Sequence, residues 1–172
     1  FLDDHLKRLH RSAGGIDLVI PFDDFWFREE IERTLAHAAN SESYIRIVVT
    51  RGVGDINIDP SSCDSPLVLI YVTPAHIYPR DWYDNGIHLA IVNIQRNSKN
   101  ALNPGIKTGN YLNNVLAKIE SGRLGAHDAL MLNSLGHLTE STTSNFFFVR
   151  DGGLMTPSLD CGILAGVTRD VV

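Results

Sequence analysis

The spacing of apolar residues predicts two helices near the start of the chain. The first apolar residues recur at steps of four, three and four, which is the spacing of one helix face. They are Leu2, Leu6, Leu9 and Ala13. The glycine pair at positions 14 and 15 supplies a stop signal. A turn and cap at residues 21–24 precede a second helical pattern, which begins at Phe25 and ends before Asn40.

Alternating and continuous apolar runs predict the strands that follow. Residues 44–51 alternate with a period of two, which is typical of a strand with one more polar face. Residues 67–72 and 87–94 are predicted as two buried strands joined by a loop. Residues 51–55 are rich in glycine, but they lack the full spacing of a phosphate-binding motif and are predicted as a turn. Together these elements predict a small α/β domain over residues 1–97.

Residues 98–105 are polar and rich in turn formers, so they are the predicted interdomain linker. The second domain, residues 106–172, is predicted to begin with a helix that ends near position 121. Its expected apolar face is formed by Tyr111, Val115, Leu116 and Ile119. Strands are predicted at residues 129–132 and 145–150, and Asp151-Gly152 is a hairpin signal. Glu140 is therefore expected in or beside a sheet.

Composition and charge exclude several classes of protein. The chain has 172 residues with 44% hydrophobic and 20% charged residues, which is ordinary globular composition. A net charge of -5 argues against a nucleic-acid or acidic-membrane partner. The apolar runs fall well short of the roughly 20 residues that span a bilayer, so a cytoplasmic protein is expected. Cys63 and Cys161 are expected to be free thiols. The histidines lack metal-ligand spacing, so no metal is expected.

Lys107 is the first candidate for chemistry. It is the only cation between two apolar runs, and it precedes a helical pattern at the end where the helix dipole favours negative charge. One interpretation is an exposed lysine whose stem packs on apolar neighbours. The other is a lysine whose amine forms a Schiff base with a carbonyl compound. The residues that surround it are needed to choose between them.

Three motifs in register carry a resemblance to a known family. They are residues 107–112 (Lys-Thr-Gly-Asn-Tyr-Leu), 138–147 (Leu-Thr-Glu-Ser-Thr-Thr-Ser-Asn-Phe-Phe) and 163–169 (Ile-Leu-Ala-Gly-Val-Thr-Arg). Their order and spacing resemble the class IV aminotransferases, the fold-type IV pyridoxal-phosphate enzymes, over essentially the whole chain. The resemblance implies a two-domain α/β (α+β) fold, in which a small α/β domain precedes part of a larger, mainly β pseudo-barrel domain. Compared with that family, the chain is expected to be truncated at both ends.

The resemblance implies pyridoxal 5'-phosphate as cofactor and gives residues roles toward it. Lys107 would form the resting Schiff base and then transfer protons. Glu140 would hydrogen-bond the pyridine nitrogen and keep it protonated; by itself it could equally be an exposed acid at a strand end. The phosphate would be held by Arg8 together with the backbone of Val167 and Thr168, while the ring hydroxyl would be bound by Tyr111.

Simpler structural interpretations stay open for some of these residues. From local sequence alone, Thr168 could be a plain helix N-cap and Tyr111 a core aromatic. Ser141 stands where many family members have glycine. If that position requires a positive φ angle, Ser141 is expected to be mildly strained.

The substrate is predicted from the strand at residues 44–51. In branched-chain members of the family, a Tyr-Ile-Arg sequence there lines the substrate pocket, and Tyr44 and Arg46 match it; otherwise Arg46 would pair with a neighbouring acid. The Arg-x-His sequence of the D-amino-acid members does not follow residues 50–52. A branched-chain L-amino acid with 2-oxoglutarate, in a ping-pong reaction, is therefore favoured.

Three alternatives remain beside that substrate prediction. The first is a D-amino-acid or (R)-amine transaminase, and the second is an aminodeoxychorismate lyase of the same family. The third is a non-catalytic fragment that retains the fold. The resemblance also implies that the protein forms a homodimer.

Overall fold

The computed structural model describes residues 1–172. The α-helices are α1 (Leu2–Gly14), α2 (Asp24–Ala38), α3 (Arg80–Asn85), α4 (Leu112–Arg123) and α5 (Val167–Val171). The strands are β1 (Ser43–Thr50), β2 (Leu67–Pro74), β3 (Leu89–Ile91), β4 (Asp128–Leu132), β5 (Leu138–Ser141), β6 (Phe148–Arg150) and β7 (Gly153–Met155). None of these helices combines the length and apolar character that crossing a membrane requires.

The chain forms two compact units. The small unit comprises Leu2 and residues 13–79, and the large unit comprises Phe1, residues 3–12 and residues 80–172. The predicted linker at residues 98–105 lies inside the large unit. The domain limits derived from the sequence stay a prediction.

In the small unit, β1 and β2 form a two-stranded antiparallel sheet, and helix α2 packs against β2. The helix begins after Asp23, whose carboxylate accepts a hydrogen bond from the Trp26 N–H at 2.8 Å, and it buries Phe27 and Ile31. The helix and both strands agree with the sequence prediction. The predicted burial of β2 is wrong, because a two-stranded sheet covered by one helix leaves much of its surface open to solvent.

In the large unit, β3, β4 and β5 form one sheet, with β3 parallel to β4 and β4 antiparallel to β5. Helix α4 lies between β3 and β4 in the sequence and packs against β4. The core between them consists of small and medium apolar side chains, namely Ala90, Val92, Ala117, Ala129 and Met131. This sheet carries Glu140 on its strand β5.

The buried face of α4 differs from the predicted one. The helix itself forms as expected, but Val115 is 50% exposed, and Leu116 and Ile119 are exposed as well. The buried residues are Asn114, Ala117 and Ser121. Small side chains allow the helix to lie close to the sheet, and the Asn114 amide donates a hydrogen bond to the Thr142 carbonyl at 2.6 Å. Hydrophobic spacing therefore selected the wrong face, because a polar contact and close packing orient this helix.

Two elements around residue 90 also differ from prediction. Helix α3 falls in a predicted loop, and its short turn is supported by the Arg80–Asp84 ion pair at 3.1 Å, four residues apart. The strand predicted at residues 87–94 is confined to β3. Beyond β3, the backbone N–H groups of Asn93 and Ile94 donate to the Glu120 carboxylate at 2.9 and 3.2 Å, so a side chain replaces a neighbouring strand there.

The hairpin predicted at Asp151-Gly152 is confirmed by strands β6 and β7. Asp151 and Gly152 have φ angles of 52° and 78°, as a two-residue type I′ turn requires. The strand before it starts later than predicted, at Phe148, because Asn145 instead forms an isolated bridge with Glu140.

Candidate active site

Glu140 is a buried carboxylate in which both oxygens are hydrogen-bonded. The residue is 5% exposed, as its position on β5 leads one to expect. Oε1 accepts from Arg96 Nε at 3.0 Å and pairs with Arg96 Nη2 at 2.9 Å. Oε2 accepts from the Leu164 backbone N–H at 3.1 Å and from the Asn145 side-chain amide at 3.2 Å. The carboxylate is therefore fixed in place by three hydrogen bonds and an ion pair, and the alternative of an exposed acid is wrong.

Burial and charge act on this carboxylate in opposite directions. Burial raises the pKa of Glu140, because it penalises the ionised form. The Arg96 guanidinium, the Leu164 N–H and the charge of Lys107 oppose that rise. Glu140 therefore has a higher proton affinity than an exposed carboxylate, and Arg96 is the strongest opposing influence. Such a carboxylate is suited to a hydrogen bond with a protonated nitrogen base.

Arg96 is the main site residue that sequence analysis missed. Its side chain is 9% exposed, and its Nη1 donates to Asn113 Oδ1 at 3.1 Å and to Asn114 Oδ1 at 3.5 Å. Asn113 in turn donates to the Gln95 carbonyl at 2.8 Å. The first turn of α4 therefore holds the guanidinium on the side away from Glu140. In the sequence, Arg96 stands between Gln95 and Asn97, a polar setting that equally suits a surface residue.

Lys107 lies in a loop and precedes α4 as predicted, but it is five positions away from the helix start and so lies outside its first turn. Its backbone N–H donates to Ser12 Oγ at 3.1 Å, and Ser12 is a buried residue of α1. Its amine lies 3.2 Å from the Tyr111 hydroxyl and 5.8 Å from the centroid of that ring. The backbone of Lys107 is thus anchored, while its side chain is exposed and contacts a tyrosine.

The other lysines of the chain pair with carboxylates. The N–O distances are 3.9 Å for Lys7 and Asp4, 3.1 Å for Lys99 and Asp160, and 3.9 Å for Lys118 and Asp128. The Lys107 amine instead has the neutral Tyr111 hydroxyl as its hydrogen-bond partner. An amine in this position can be reached by a carbonyl compound without breaking an ion pair.

Arg8 and Val167 line one cavity of the large unit, of about 260 Å³. Its full lining is Asp4, Lys7, Arg8, Arg11, Ala165, Val167, Asp170 and Val171. Burial, followed by the charge of Arg11, lowers the pKa of Arg8, while Tyr111 and Asp170 act in the other direction. Three cationic side chains face two carboxylates in this cavity, so its lining has a surplus of positive charge. That positive charge, together with the planar guanidinium of Arg8, suits a phosphate group.

The segment that leads into α5 is tied to Glu140. Gly166 is the N-cap of α5, and a Cβ atom there would come within 1.9 Å of Asn145 Oδ1. The Asn145 amide donates both to Glu140 and, at 2.9 Å, to the Leu164 carbonyl. Thr168 is exposed and lies inside α5, so the alternative that it is the N-cap is wrong. The phosphate roles of Val167 and Thr168 stay predictions.

The predicted substrate residues lie in the small unit. Tyr44 and Arg46 are both exposed on β1, opposite Thr73 and Tyr71 of β2. They are two residues apart on β1, so their side chains lie on the same face of the strand.

The backbone of Ser141 is not strained, in contrast to the expectation for a position that requires a positive φ angle. The non-glycine residues with positive φ are Asp17, Ala39 and Asp151, so Ser141 has an ordinary backbone. Its N–H donates to the Ser144 carbonyl at 2.9 Å. Within residues 1–172, no group of three His, Cys, Asp or Glu side chains is placed to hold a metal ion.

Comparison with known proteins identifies the family. The family model described as amino-transferase class IV matches residues 1–172. A putative branched-chain-amino-acid aminotransferase of Methanocaldococcus jannaschii is 38% identical over 171 residues, which are 99% of this chain and 58% of the relative. A D-alanine aminotransferase of Listeria monocytogenes is 31% identical over 99% of this chain and 58% of its own length. An aminodeoxychorismate lyase of Vibrio harveyi is 33% identical over 96% of this chain and 59% of its own length.

Solved structures share the fold. The branched-chain aminotransferase of Thermoproteus uzoniensis with norvaline superposes with a TM-score of 0.89 and 33% identity, over 99% of this chain and 57% of that one. The branched-chain amino acid aminotransferase of Thermobaculum terrenum in its PLP form gives a TM-score of 0.82 and 33% identity, over 99% and 55%. The chain thus spans somewhat over half the length of each of these five relatives. These similarities confirm the predicted α/β fold class, and the match over every residue shows that the chain belongs to the class IV aminotransferase family.

Proposed function

We propose that the complete protein is a pyridoxal-phosphate-dependent aminotransferase that moves the amino group of a branched-chain L-amino acid to 2-oxoglutarate. Family membership supports the general activity, and the relatives with branched-chain names support the substrate. The observation that carries the proposal is the amine of Lys107, which lacks a carboxylate partner and contributes positive charge at the buried Glu140.

The residues of the large unit fit the cofactor. Pyridoxal phosphate, when bound, supplies an electron sink for the charge left when the substrate Cα loses its proton. Lys107 would hold its aldehyde carbon, and Glu140 its ring nitrogen. Its phosphate would bind to Arg8 and to the backbone of Val167 and Thr168, where the cavity lining has surplus positive charge. Tyr111 would bind the ring hydroxyl. The solved Thermobaculum terrenum relative is in its PLP form, which supports this choice of cofactor.

Each side chain has one task in proton transfer. The Lys107 amine, once released by the substrate, would take the proton from the substrate Cα and give it to the cofactor carbon that Lys107 had held. The Tyr111 hydroxyl, 3.2 Å from that amine, would orient it. The Glu140 carboxylate would keep a proton on the ring nitrogen, because a negative charge beside the nitrogen stabilises its cationic form.

Arg46 and Tyr44 would determine the substrate. A branched-chain aminotransferase must accept an apolar side chain in one half-reaction and the distal carboxylate of glutamate in the other. A cation beside an apolar wall can serve both substrates. Arg46 supplies such a charge, and period-two alternation places it on the same strand face as Tyr44.

A second candidate function has its own support. The relatives also include a D-alanine aminotransferase and an aminodeoxychorismate lyase at 31% and 33% identity. A D-amino-acid or (R)-amine transaminase, or a lyase, would use Lys107 and Glu140 in the same way and differ at the substrate residues. The alternative outside the enzymes is a fragment that retains the fold without activity.

We also propose that the protein is a homodimer, which sedimentation of the full-length protein would test.

A substrate panel on the full-length protein tests the proposal. We expect L-leucine, L-isoleucine and L-valine to react with 2-oxoglutarate far faster than D-alanine or (R)-phenylethylamine does, and far faster than aminodeoxychorismate is cleaved. A preference for any of the last three would overturn the branched-chain assignment and leave the cofactor roles in place. A full-length protein that forms no Schiff-base absorbance band with pyridoxal phosphate and transfers no amino group would contradict both the branched-chain assignment and the cofactor roles.

A further inference from the structure

We propose that Arg96 is a positioning residue that determines on which atom the proton lies between Glu140 and the nitrogen that this carboxylate holds. The inference rests on the proposed function, in which Glu140 faces the pyridine nitrogen. It assigns a role to a residue 44 positions away from Glu140 in the sequence.

The two oxygens of Glu140 have different partners. The Arg96 guanidinium donates through Nε to Oε1 at 3.0 Å, and its Nη2 forms an ion pair with the same oxygen at 2.9 Å. Oε2 has only neutral donors, from Leu164 and Asn145. The Asn145 contact is the longest of the four at 3.2 Å, and that amide also donates to the Leu164 carbonyl at 2.9 Å. Oε1 is therefore committed to the cation, and a ring N–H at Oε2 would take the place of the Asn145 contact.

The charge of Arg96 decides where the proton is most stable. A proton shared between a carboxylate and a ring nitrogen lies on the nitrogen when the carboxylate is the weaker base. Arg96 weakens the base by direct contact, and Lys107 is the other charged group that acts on Glu140. If Arg96 were neutral, burial would favour transfer of the proton from nitrogen to carboxylate oxygen. No atom is gained or lost, but the ring would lose its positive charge and with it much of its capacity as an electron sink.

Arg96 is itself held in place. Its Nη1 donates to Asn113 and Asn114 on α4, while Nε and Nη2 point to Glu140, so one planar group joins the helix to the sheet. Arginine suits this position better than lysine because its fork donates in two directions at once. Lysine would keep the charge and lose the fork, which provides a graded variant.

The test uses full-length protein with Arg96→Met, Arg96→Lys and a control variant, Arg80→Met. Arg80 forms an exposed ion pair with Asp84 in the same unit. Its replacement therefore removes one arginine charge from the surface and leaves the buried Glu140 contacts unchanged. The first readout is the carboxyl ¹³C shift of Glu140 against pH in cofactor-free protein. The second is the ring ¹⁵N shift of labelled pyridoxal phosphate bound to each variant. Both report the proton position, which a purely structural role would leave unchanged.

We expect Arg96→Met to move the Glu140 titration to higher pH and the ring ¹⁵N shift toward that of neutral pyridine. Amino-group transfer should fall at least about tenfold. Arg96→Lys should restore part of each change, and Arg80→Met should match wild type. If Arg96→Met folds poorly, the Arg96→Lys variant and the double variant Arg96→Met with Glu140→Gln still test the proposal. The double variant removes both charges of the pair, and its ring nitrogen should match that of Glu140→Gln alone.

An Arg96→Met protein with wild-type Glu140 titration and wild-type ¹⁵N shift would overturn this proposal and leave the proposed function intact. A wild-type protein that binds no cofactor would overturn the proposed function instead. In that case the Glu140 titration would still show whether Arg96 controls the carboxylate.

Discussion

The buried site around Glu140 and the exposed strand β1 differ in how their candidate residues are held. Glu140 has three hydrogen bonds, an ion pair and almost no exposure, whereas Tyr44 is 56% exposed and Arg46 is exposed on a two-stranded sheet. A substitution at Glu140 must disturb several partners, while one at Arg46 can change a single side chain. Under the proposed function, a single substitution would therefore seldom alter the cofactor chemistry, whereas it could readily alter the choice of substrate. This contrast would, under the proposed function, explain why relatives similar in sequence carry different substrate names.

The largest effect is expected for Lys107→Ala. This variant should lose the visible band of the lysine-bound cofactor and all measurable transfer, because the proposed tether and proton carrier are one amine. Unfolding free energy should change by less than about 1 kcal/mol, since the amine is exposed and its one hydrogen bond is to Tyr111. Absorbance, turnover and denaturant unfolding measure these, with Lys99→Ala as the control. Retained turnover would remove Lys107 from the proposed mechanism.

Glu140→Gln tests how strongly the buried site depends on its charge pair. Cofactor should still bind, but turnover should fall by about a hundredfold, because a neutral amide stabilises the protonated nitrogen less. The protein should also lose about 3 kcal/mol of unfolding free energy, because Arg96 keeps a buried charge without its counter-ion. Turnover assays and urea unfolding measure both effects. Asp84→Asn is the control, because it breaks an exposed pair and should cost about 0.5 kcal/mol or less.

Gly166→Ala tests whether the segment before α5 depends on Asn145. Gly166 has an ordinary φ of -76°, so alanine is permitted by the backbone and is opposed only by the approach of its Cβ to Asn145 Oδ1. Displacement of Asn145 should cost about 1–3 kcal/mol of stability and weaken cofactor binding. Gly122→Ala is the matched control, because its Cβ would meet no atom within 4 Å inside α4. Equal stability of the two variants would show that Asn145 can move away from Gly166 without a loss of stability.

Arg46→Ala is expected to have the smallest effect and one confined to substrate. The apparent KM for glutamate and 2-oxoglutarate should rise by about tenfold, and that for leucine much less, because only the former carry a distal carboxylate. Stability should stay within about 0.5 kcal/mol. Steady-state kinetics on the full-length protein measure this, with Arg33→Ala on α2 as a control. Equal changes for leucine and glutamate would show that Arg46 does not discriminate between them.

Local signals in the sequence were enough to predict the elements that local contacts form. Helix α1, the capped helix α2, strand β1 and the Asp151-Gly152 hairpin all follow from spacing, caps or turn residues. The exposed face of α4 and the early end of β3 could not be predicted this way. They depend on Asn114 and Glu120, whose partners lie more than twenty residues away in the sequence.

The candidate site shows the same division. Lys107 and Glu140 were found because they lie in motifs with recognisable spacing. Arg96 was missed because nothing in the local sequence distinguishes it from a surface arginine, and only the fold brings it to Glu140.

The central claim is that Lys107 is the residue that binds the cofactor. The chain has four lysines, Lys7, Lys99, Lys107 and Lys118. We would treat the full-length protein with pyridoxal phosphate, reduce it with borohydride, digest it and locate the modified lysine by peptide mass spectrometry. The proposed function predicts that the reduced cofactor is on the peptide that contains Lys107 and that prior incubation with L-leucine lowers its yield. Modification of any other lysine in its place, or of no lysine, would contradict the claim.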